Sequence, residues 1–273
     1  MHRTIFTSAA LCAAYLLTVP ASLALSSRSQ WISGDFSRVR LLMSPANEGA
    51  SVDGGVEIQL EPGWHTYWRV PGDAGVPPQF DFSRSQNVAE VIVHYPVPER
   101  YNDGPSVSII YKDRVVFPLT VRPADPDLPV SLALDFFYGA CADVCIPVKA
   151  AAEASLVPGD KADPLAKIAI AEFKQKLPQA PTPDFAISSV TRDADVLTIK
   201  TVLPTADLVD LFVEGPSDWF IGQPELVARG DHGATFRLSL KGVPKDAKID
   251  GRLNFLLVAG GQGVLAEGIA ITP

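Results

Sequence analysis

The stretch Tyr138-Gly139-Ala140-Cys141-Ala142-Asp143-Val144-Cys145-Ile146-Pro147 carries two of the three cysteines in the chain. Before it, Val130 to Phe137 alternates as a β-strand does, and after Pro147 a second run reaches Val157. Four residues of extended strand span about 13 Å. A disulfide needs its Cα atoms roughly 4.4–6.8 Å apart. A three-residue hairpin loop sets Cys141 and Cys145 on facing strand positions within that reach. A helical turn would do the same, but Pro147 and the β-rich flanks argue against one. The stretch reads as a disulfide at the end of a β-sandwich, able to form and break. A static staple is the other reading. By loop entropy so short a loop contributes only about 2 kcal/mol, modest for a chain long enough to bury a sizeable core without staples.

The rest of the chain is consistent with a β protein. Its 24 prolines and 20 glycines separate many short β-type runs, which points to an all-β fold rather than α/β. The net charge of -8 offers no basic surface for nucleic acid. At the N-terminus, Arg3, the apolar run Ile5 to Val19 and the small residues around Ser22-Leu23-Ala24 read as a signal peptide over residues 1–24. Pro20 breaks the apolar run too early for a membrane span. Cys12 lies inside this segment, behind Leu11, where a lipid-attachment site would want a small residue. Cleavage therefore removes Cys12 and leaves an even pair. No later stretch approaches a spanning length, so a soluble exported protein is expected. In a bacterium that means the periplasm, where disulfides persist.

In chain order, Phe36–Met43 and Val52–Leu60 read as strands, with Asp53-Gly54-Gly55 as a turn or bulge. In Gly63-Trp64-His65-Thr66-Tyr67-Trp68-Arg69, alternation puts Trp64, Thr66 and Trp68 on one face, and His65, Tyr67 and Arg69 on the other. The tryptophans read as sandwich core. Val88–Tyr95 is the next strand, Pro96–Gly104 a loop, and Val107–Tyr111 with Val115–Val121 a hairpin about Lys112-Asp113-Arg114. Such short strands with frequent turns fit an immunoglobulin-like sandwich. Asp163-Pro164 opens a helix whose stripe is Leu165, Ile168, Ala169, Phe173 and Leu177. Pro178 to Pro183 is a proline-rich linker. Beyond it, runs at 196–202, 208–213, 225–228, 235–240, 252–258 and 264–271 read as a second, smaller sandwich. Gly260-Gly261-Gln262-Gly263 reads as a hairpin turn, not a nucleotide loop, because no helix follows it. The expected division is a signal peptide at 1–24, a redox sandwich at 25–160, helix and linker at 161–183, and a second sandwich at 184–273. The first domain, taken as 25–177 with the helix, is expected to fold alone.

A thiol-redox site needs a thiol pair close enough to cycle, open to attack and guarded against wrong oxidants. The pair is Cys141 and Cys145. No Cys-x-x-Cys in a βαβ setting is present. Asp143 between the cysteines disfavours a thiolate, whereas Arg100 or Lys149 would favour one.

Gly139-Ala140-Cys141-Ala142-Asp143-Val144-Cys145-Ile146-Pro147 resembles the active hairpin of the N-terminal periplasmic (alpha) domain of the DsbD thiol:disulfide interchange proteins, and still more that of the ScsB type. Glu99-Arg100-Tyr101-Asn102-Asp103-Gly104 and Ile110-Tyr111-Lys112-Asp113-Arg114 are similar to that family's cap loop and the hairpin after it. Gly63 to Arg69 and Pro71-Gly72-Asp73-Ala74-Gly75 resemble the ScsB branch. The resemblance covers Phe36 to Val157. It implies an immunoglobulin-like electron carrier in the periplasm with thiol:disulfide interchange or protein-disulfide reductase activity and no cofactor. Its implied partners are a membrane-embedded thiol electron transporter and periplasmic thioredoxin-like or disulfide-isomerase proteins. On the matching positions Cys145 would exchange with the partner, Cys141 would resolve, and Tyr101 would be the cap, with Glu99 and Arg100 beside it. The transmembrane and thioredoxin-like parts of full-length DsbD are missing from this chain, so a separate membrane protein is expected to supply the electrons. Two other readings stand beside this one. A copper-handling or metal-binding protein would use Cys141, Cys145 and either His65 or His94 as soft ligands; Met43 is the sole methionine left after cleavage, which excludes a methionine-rich site. A scaffold sandwich would keep a structural disulfide.

Overall fold

The computed structural model describes residues 26–46, 51–104, 106–205 and 208–272. The expected signal peptide and Cys12 lie outside them. The first half of the chain forms β1 (Ile32–Gly34), β2 (Ser37–Pro45), β3 (Val52–Leu60), β4 (His65–Gly72), β5 (Gln79–Asp81) and β6 (Val88–Val93). Then come β7 (Glu99–Asp103), β8 (Ser106–Lys112), β9 (Arg114–Pro123), β10 (Val130–Cys141) and β11 (Cys145–Leu156). Helix α1 (Pro164–Lys174) follows. The remainder forms β12 (Ala186–Asp193), β13 (Val196–Val202), β14 (Val209–Glu214), β15 (Glu225–Gly230), β16 (Gly233–Ser239), β17 (Asn254–Ala259) and β18 (Gln262–Ala266).

The first sandwich is immunoglobulin-like. A sheet of order β1-β2-β3-β9-β6 faces one of order β11-β10-β4-β8-β7, with β5 also on β10. Their inner faces hold Val39, Leu41, Ile58, Trp68, Ile109, Phe117, Leu132, Leu134 and Tyr138, all buried. The outer face of the first sheet is covered by α1, so the middle of β2 and β3 is buried on both faces. That explains Gly54-Gly55. The pair is no turn: β3 runs through both. A Cβ on Gly55 would come within 2.8 Å of Val116 and 3.1 Å of Ile170, so glycine is what lets the helix approach.

Helix α1 begins as expected, with Asp163 accepting from the Leu165 and Ala166 amides and proline in the first turn. Its buried face differs from the expected stripe. Ala166, Ala169, Ile170 and Phe173 are buried, while Leu165 and Ile168 are exposed. Both sets have helical spacing, and small alanines suit the close approach at Gly55. The expected hairpin at Lys112-Asp113-Arg114 is not one either. Strand β8 pairs with β4 and β7, whereas β9 pairs with β3 and β6 in the other sheet. Asp113, at φ 55°, turns the chain from one sheet to the other.

The second sandwich places a sheet of order β12-β13-β16-β15 against one of order β14-β17-β18. Gly260 and Gly261, at φ 57° and 79°, close the tight β17–β18 turn as expected. The three-stranded sheet is buried on both faces. Leu211, Val213, Phe255 and Leu257 fill the second core, while Phe212, Leu256 and Val258 join the first. Phe212 lies 5.9 Å from Trp68, ring to ring. Trp68 is thus core as read, and Trp64 stacks on Phe36 at 4.0 Å.

Candidate functional site

Strands β10 and β11 pair in unbroken antiparallel register from Val130–Leu156 to Cys141–Cys145, joined by Ala142-Asp143-Val144. The Ala142 amide donates to the Val144 carbonyl at 3.0 Å inside this loop. The cysteine Cα atoms stand 4.1 Å apart and the sulfurs are bonded. Strand alternation sorts the tip. Tyr138 and Ala140 enter the sandwich core, so Gly139 and Cys141 face out of the sheet. The two sulfurs are unequal. Cys141 is 1% exposed, whereas Cys145 is exposed.

A second small cluster on the outer face of the sheet buries Cys141. It consists of Tyr67 from β4, Ile110 from β8 and the half-buried Tyr101 from β7. His65 is the direct strand partner of Cys141, and of Lys112 on its other side. Being two residues from Tyr67, His65 shares its face. Its ring lies 5.3 Å from Tyr67, edge-on, and 5.1 Å from Tyr101. The Tyr67 hydroxyl is 3.1 Å from Cys145 Sγ. A disulfide sulfur has no proton, so the hydroxyl is the donor. Two glycines make room for that ring. A Cβ on Gly75 (φ 136°) would lie 2.3 Å from it, and one on Gly139 would lie 3.3 Å from it.

The expected cap is not a loop but the edge strand β7, paired residue for residue with β8 from Glu99–Ile110 to Asp103–Ser106. Alternation gives its residues distinct contacts. Tyr101 reaches back over His65 and takes the Lys112 ammonium at 5.4 Å from its ring. Glu99 pairs with Lys112 at 3.3 Å, an exposed contact of small energetic weight. Arg100 turns away from the cysteines and forks onto Asp210 of β14 at 2.7 and 2.9 Å. The segment leading into β7 is also tied down. The Tyr111 hydroxyl donates to the Pro96 carbonyl at 2.7 Å, and the Val97 amide to the Lys176 carbonyl at 2.8 Å. Burial pushes the Tyr111 hydroxyl well above the usual phenol range, so it remains a donor.

The structure therefore brings Cys141, Cys145 and Tyr101 together, with Glu99 at the cap's edge and Arg100 engaged elsewhere. The sequence showed the face shared by His65 and Tyr67, but gave Tyr67 no role and His65 one only as a soft ligand in the metal-binding alternative. Alternation toward the cysteine strand was the available signal. Asp210 carried no such signal. His94 Nε2 lies 2.9 Å from Thr120 Oγ1. Among the described residues no group of three or more His, Cys, Asp or Glu side chains is arranged to hold a metal ion. No described helix is long and apolar enough to cross a membrane.

Fold and site define a class of protein: an immunoglobulin-like sandwich whose hairpin tip carries a half-buried disulfide beneath an aromatic edge strand. Residues 39–156 match the family described as thiol:disulfide interchange protein DsbD, N-terminal. The whole architecture is similar to the crystal structure of the N-terminal periplasmic domain of ScsB from Proteus mirabilis. The TM-score is 0.73 at 24% identity, over 90% of this chain and 99% of that one. Such coverage takes in the second sandwich as well as the first. No curated protein sequence matches the chain.

Proposed function

We propose that Cys141 and Cys145 carry electrons by thiol:disulfide interchange in the periplasm, between a membrane-embedded thiol donor and thioredoxin-like or disulfide-isomerase acceptors. The observation that carries this reading is the inequality of the two sulfurs, one buried beneath Tyr67 and Tyr101, the other exposed at the hairpin tip. A staple gains nothing from such an arrangement. For exchange it fixes which sulfur a partner meets.

In the reducing half-cycle a donor thiolate attacks Cys145 Sγ in line with the S–S bond. That bond breaks, Cys141 leaves as a thiolate and takes up a proton, and a mixed disulfide joins Cys145 to the donor. The donor's second thiolate then attacks its own bridged sulfur. The donor leaves oxidised, and Cys145 leaves as a thiolate toward which the Tyr67 hydroxyl already points. Two electrons have moved onto the pair. Reversing the steps with an oxidised acceptor hands them on, with Cys145 attacking and Cys141 resolving. Tyr101 covers Cys141 between encounters.

The test is trapping. Cys141→Ala leaves the mixed disulfide without an internal attacker, so an adduct with a thioredoxin-like dithiol protein should accumulate on non-reducing gels, and Cys145→Ala should give far less. No adduct with either variant, together with a reduction potential below about -300 mV, would return the pair to a structural staple.

A further inference from the structure

We propose that the second sandwich sets how firmly the disulfide is covered, and that Asp210 is the positioning residue through which it acts. This rests on the reading of Tyr101 as the cap.

Strand β7 is held differently on its two faces. On the cysteine side, Tyr101 rests on ring contacts and on the exposed Glu99–Lys112 pair. On the other side Arg100 makes the strongest polar contact of the strand. Its Nε and Nη2 fork onto both Asp210 oxygens, and Nη2 also donates to the Leu211 carbonyl at 3.1 Å. Its guanidinium stands 5.4 Å from the Phe212 ring. Both charges are largely sheltered, with side-chain exposures of 19% and 26%. A fork of this kind fixes direction as well as distance. Because Arg100 and Tyr101 are adjacent in one strand, holding the first fixes the roll of the backbone that aims the second.

Strand β14 is built for this docking. Its alternate residues Asp210, Phe212 and Glu214 all face the first sandwich and meet Arg100, Trp68 and Arg69 in turn. Leu211 and Val213 between them belong to the second core. Asp210 and Phe212 both meet Arg100 of the cap strand, and of the three residues only Asp210 bonds to it. Glu214 holds Arg69 on β4, past the point where β4 leaves β8 at a register shift. The inner face of the cap is thus bonded to a sheet from the other end of the chain, and its lift off the cysteines requires that bond to break. Loss of Asp210 raises the open fraction of the cap, and with it the rate at which a small reductant reaches the disulfide from its covered Cys141 side.

The experiment measures the rate of reduction of the Cys141–Cys145 disulfide by dithiothreitol in the full chain, by quenched alkylation and mass spectrometry. Tyr101→Ala should react faster than wild type. Asp210→Asn should also react faster, by roughly tenfold, the factor expected when a sheltered charge-assisted contact is lost. Glu214→Gln, which loosens the same interface away from the cap, should stay within about twofold, the spread ordinary for a contact that does not report on the site. Asp210→Asn added to Tyr101→Ala should bring no further gain, because an absent lid cannot be opened. If Asp210→Asn does not fold, Arg100→Lys, which keeps the charge and gives up the fork, reads the same contact and should accelerate too. Acceleration by Tyr101→Ala but not by Asp210→Asn or Arg100→Lys overturns this proposal and leaves the cap reading intact. No acceleration by Tyr101→Ala overturns the cap reading and this proposal with it. Equal acceleration by Asp210→Asn and Glu214→Gln, or additivity with Tyr101→Ala, also overturns it, since general loosening of the interface then explains the rates.

Discussion

Gly75 shows how a residue with no side chain shapes the site. It sits at φ 136°, where residues with a Cβ are strained, and an added Cβ would fall 2.3 Å from the Tyr67 ring. That ring carries the hydroxyl that reaches Cys145 Sγ. Gly75→Ala should therefore push Tyr67 off the sulfur and cost about 1–3 kcal/mol of stability, the range for overpacking and backbone strain. Urea melts give the cost, and the reduction rate of the disulfide reads the displacement. A Tyr67→Phe variant, which keeps the ring and drops the hydroxyl, should melt close to wild type and separate the two effects. An unchanged melt in Gly75→Ala would mean the segment after β4 relaxes freely, although Asp73 ties it to the Val107 backbone through both its amide and its carboxylate.

Among the elements, α1 packs beside a histidine whose protonation is linked to folding. Its last residue, Lys174, pairs with Asp53 of β3 at 2.6 Å. His94 lies beside this pair, and burial, with the Lys174 charge helping and Asp53 opposing, lowers its pKa from the ordinary value. Folded protein then binds the proton less readily than unfolded chain, whose imidazole titrates near about 6.5. Stability is fully present above that value and falls as pH drops from it toward the depressed folded pKa. Denaturation midpoints between pH 7 and pH 5 should slope downward in wild type, and less so in His94→Gln. Equal slopes would assign the acid sensitivity to other groups. The cap strand makes a different point about elements. Glu-Arg-Tyr-Asn-Asp, entered through Pro96 and Pro98, has the composition of a loop. It becomes a strand because β8 offers an unpaired edge, and its charges suit an edge strand, where further pairing must be discouraged.

At the scale of the whole molecule, the three-stranded sheet of the second sandwich is a shared layer rather than a neighbour. Phe212, Leu256 and Val258 complete the first core from outside the 25–177 segment. We expect residues 26–177 alone to keep the β10–β11 register, because that hairpin and its facing sheet lie within the segment. The fragment should nevertheless be less stable than the full chain by about 5 kcal/mol, from three large apolar side chains at roughly 1.5–3 kcal/mol each before any relaxation. Paired urea melts test this. A fragment with no cooperative transition would make the two sandwiches one folding unit. If Asp210 positions the cap, the fragment's disulfide should also reduce faster than that of the full chain.

The sequence by itself determined what rests on local spacing. Alternation across Tyr138 to Pro147, with three residues between the cysteines, specified the hairpin and its facing pair. Asp163-Pro164 specified where the helix begins, Gly260-Gly261 specified a tight turn, and Gly63 to Arg69 separated Trp68 of the core from the face that meets the cysteines. Only the tertiary structure decided what depends on which surfaces meet. The buried face of α1 could not be chosen between two helical stripes until Gly54-Gly55 was seen to be the surface it covers. Strands β8 and β9 looked like a hairpin because period-2 runs around a turn carry no mark of which sheet each joins. Asp210 was illegible for the same reason. A carboxylate more than a hundred residues from Arg100 acquires its role from the approach of two sheets, and local pattern holds no record of that approach.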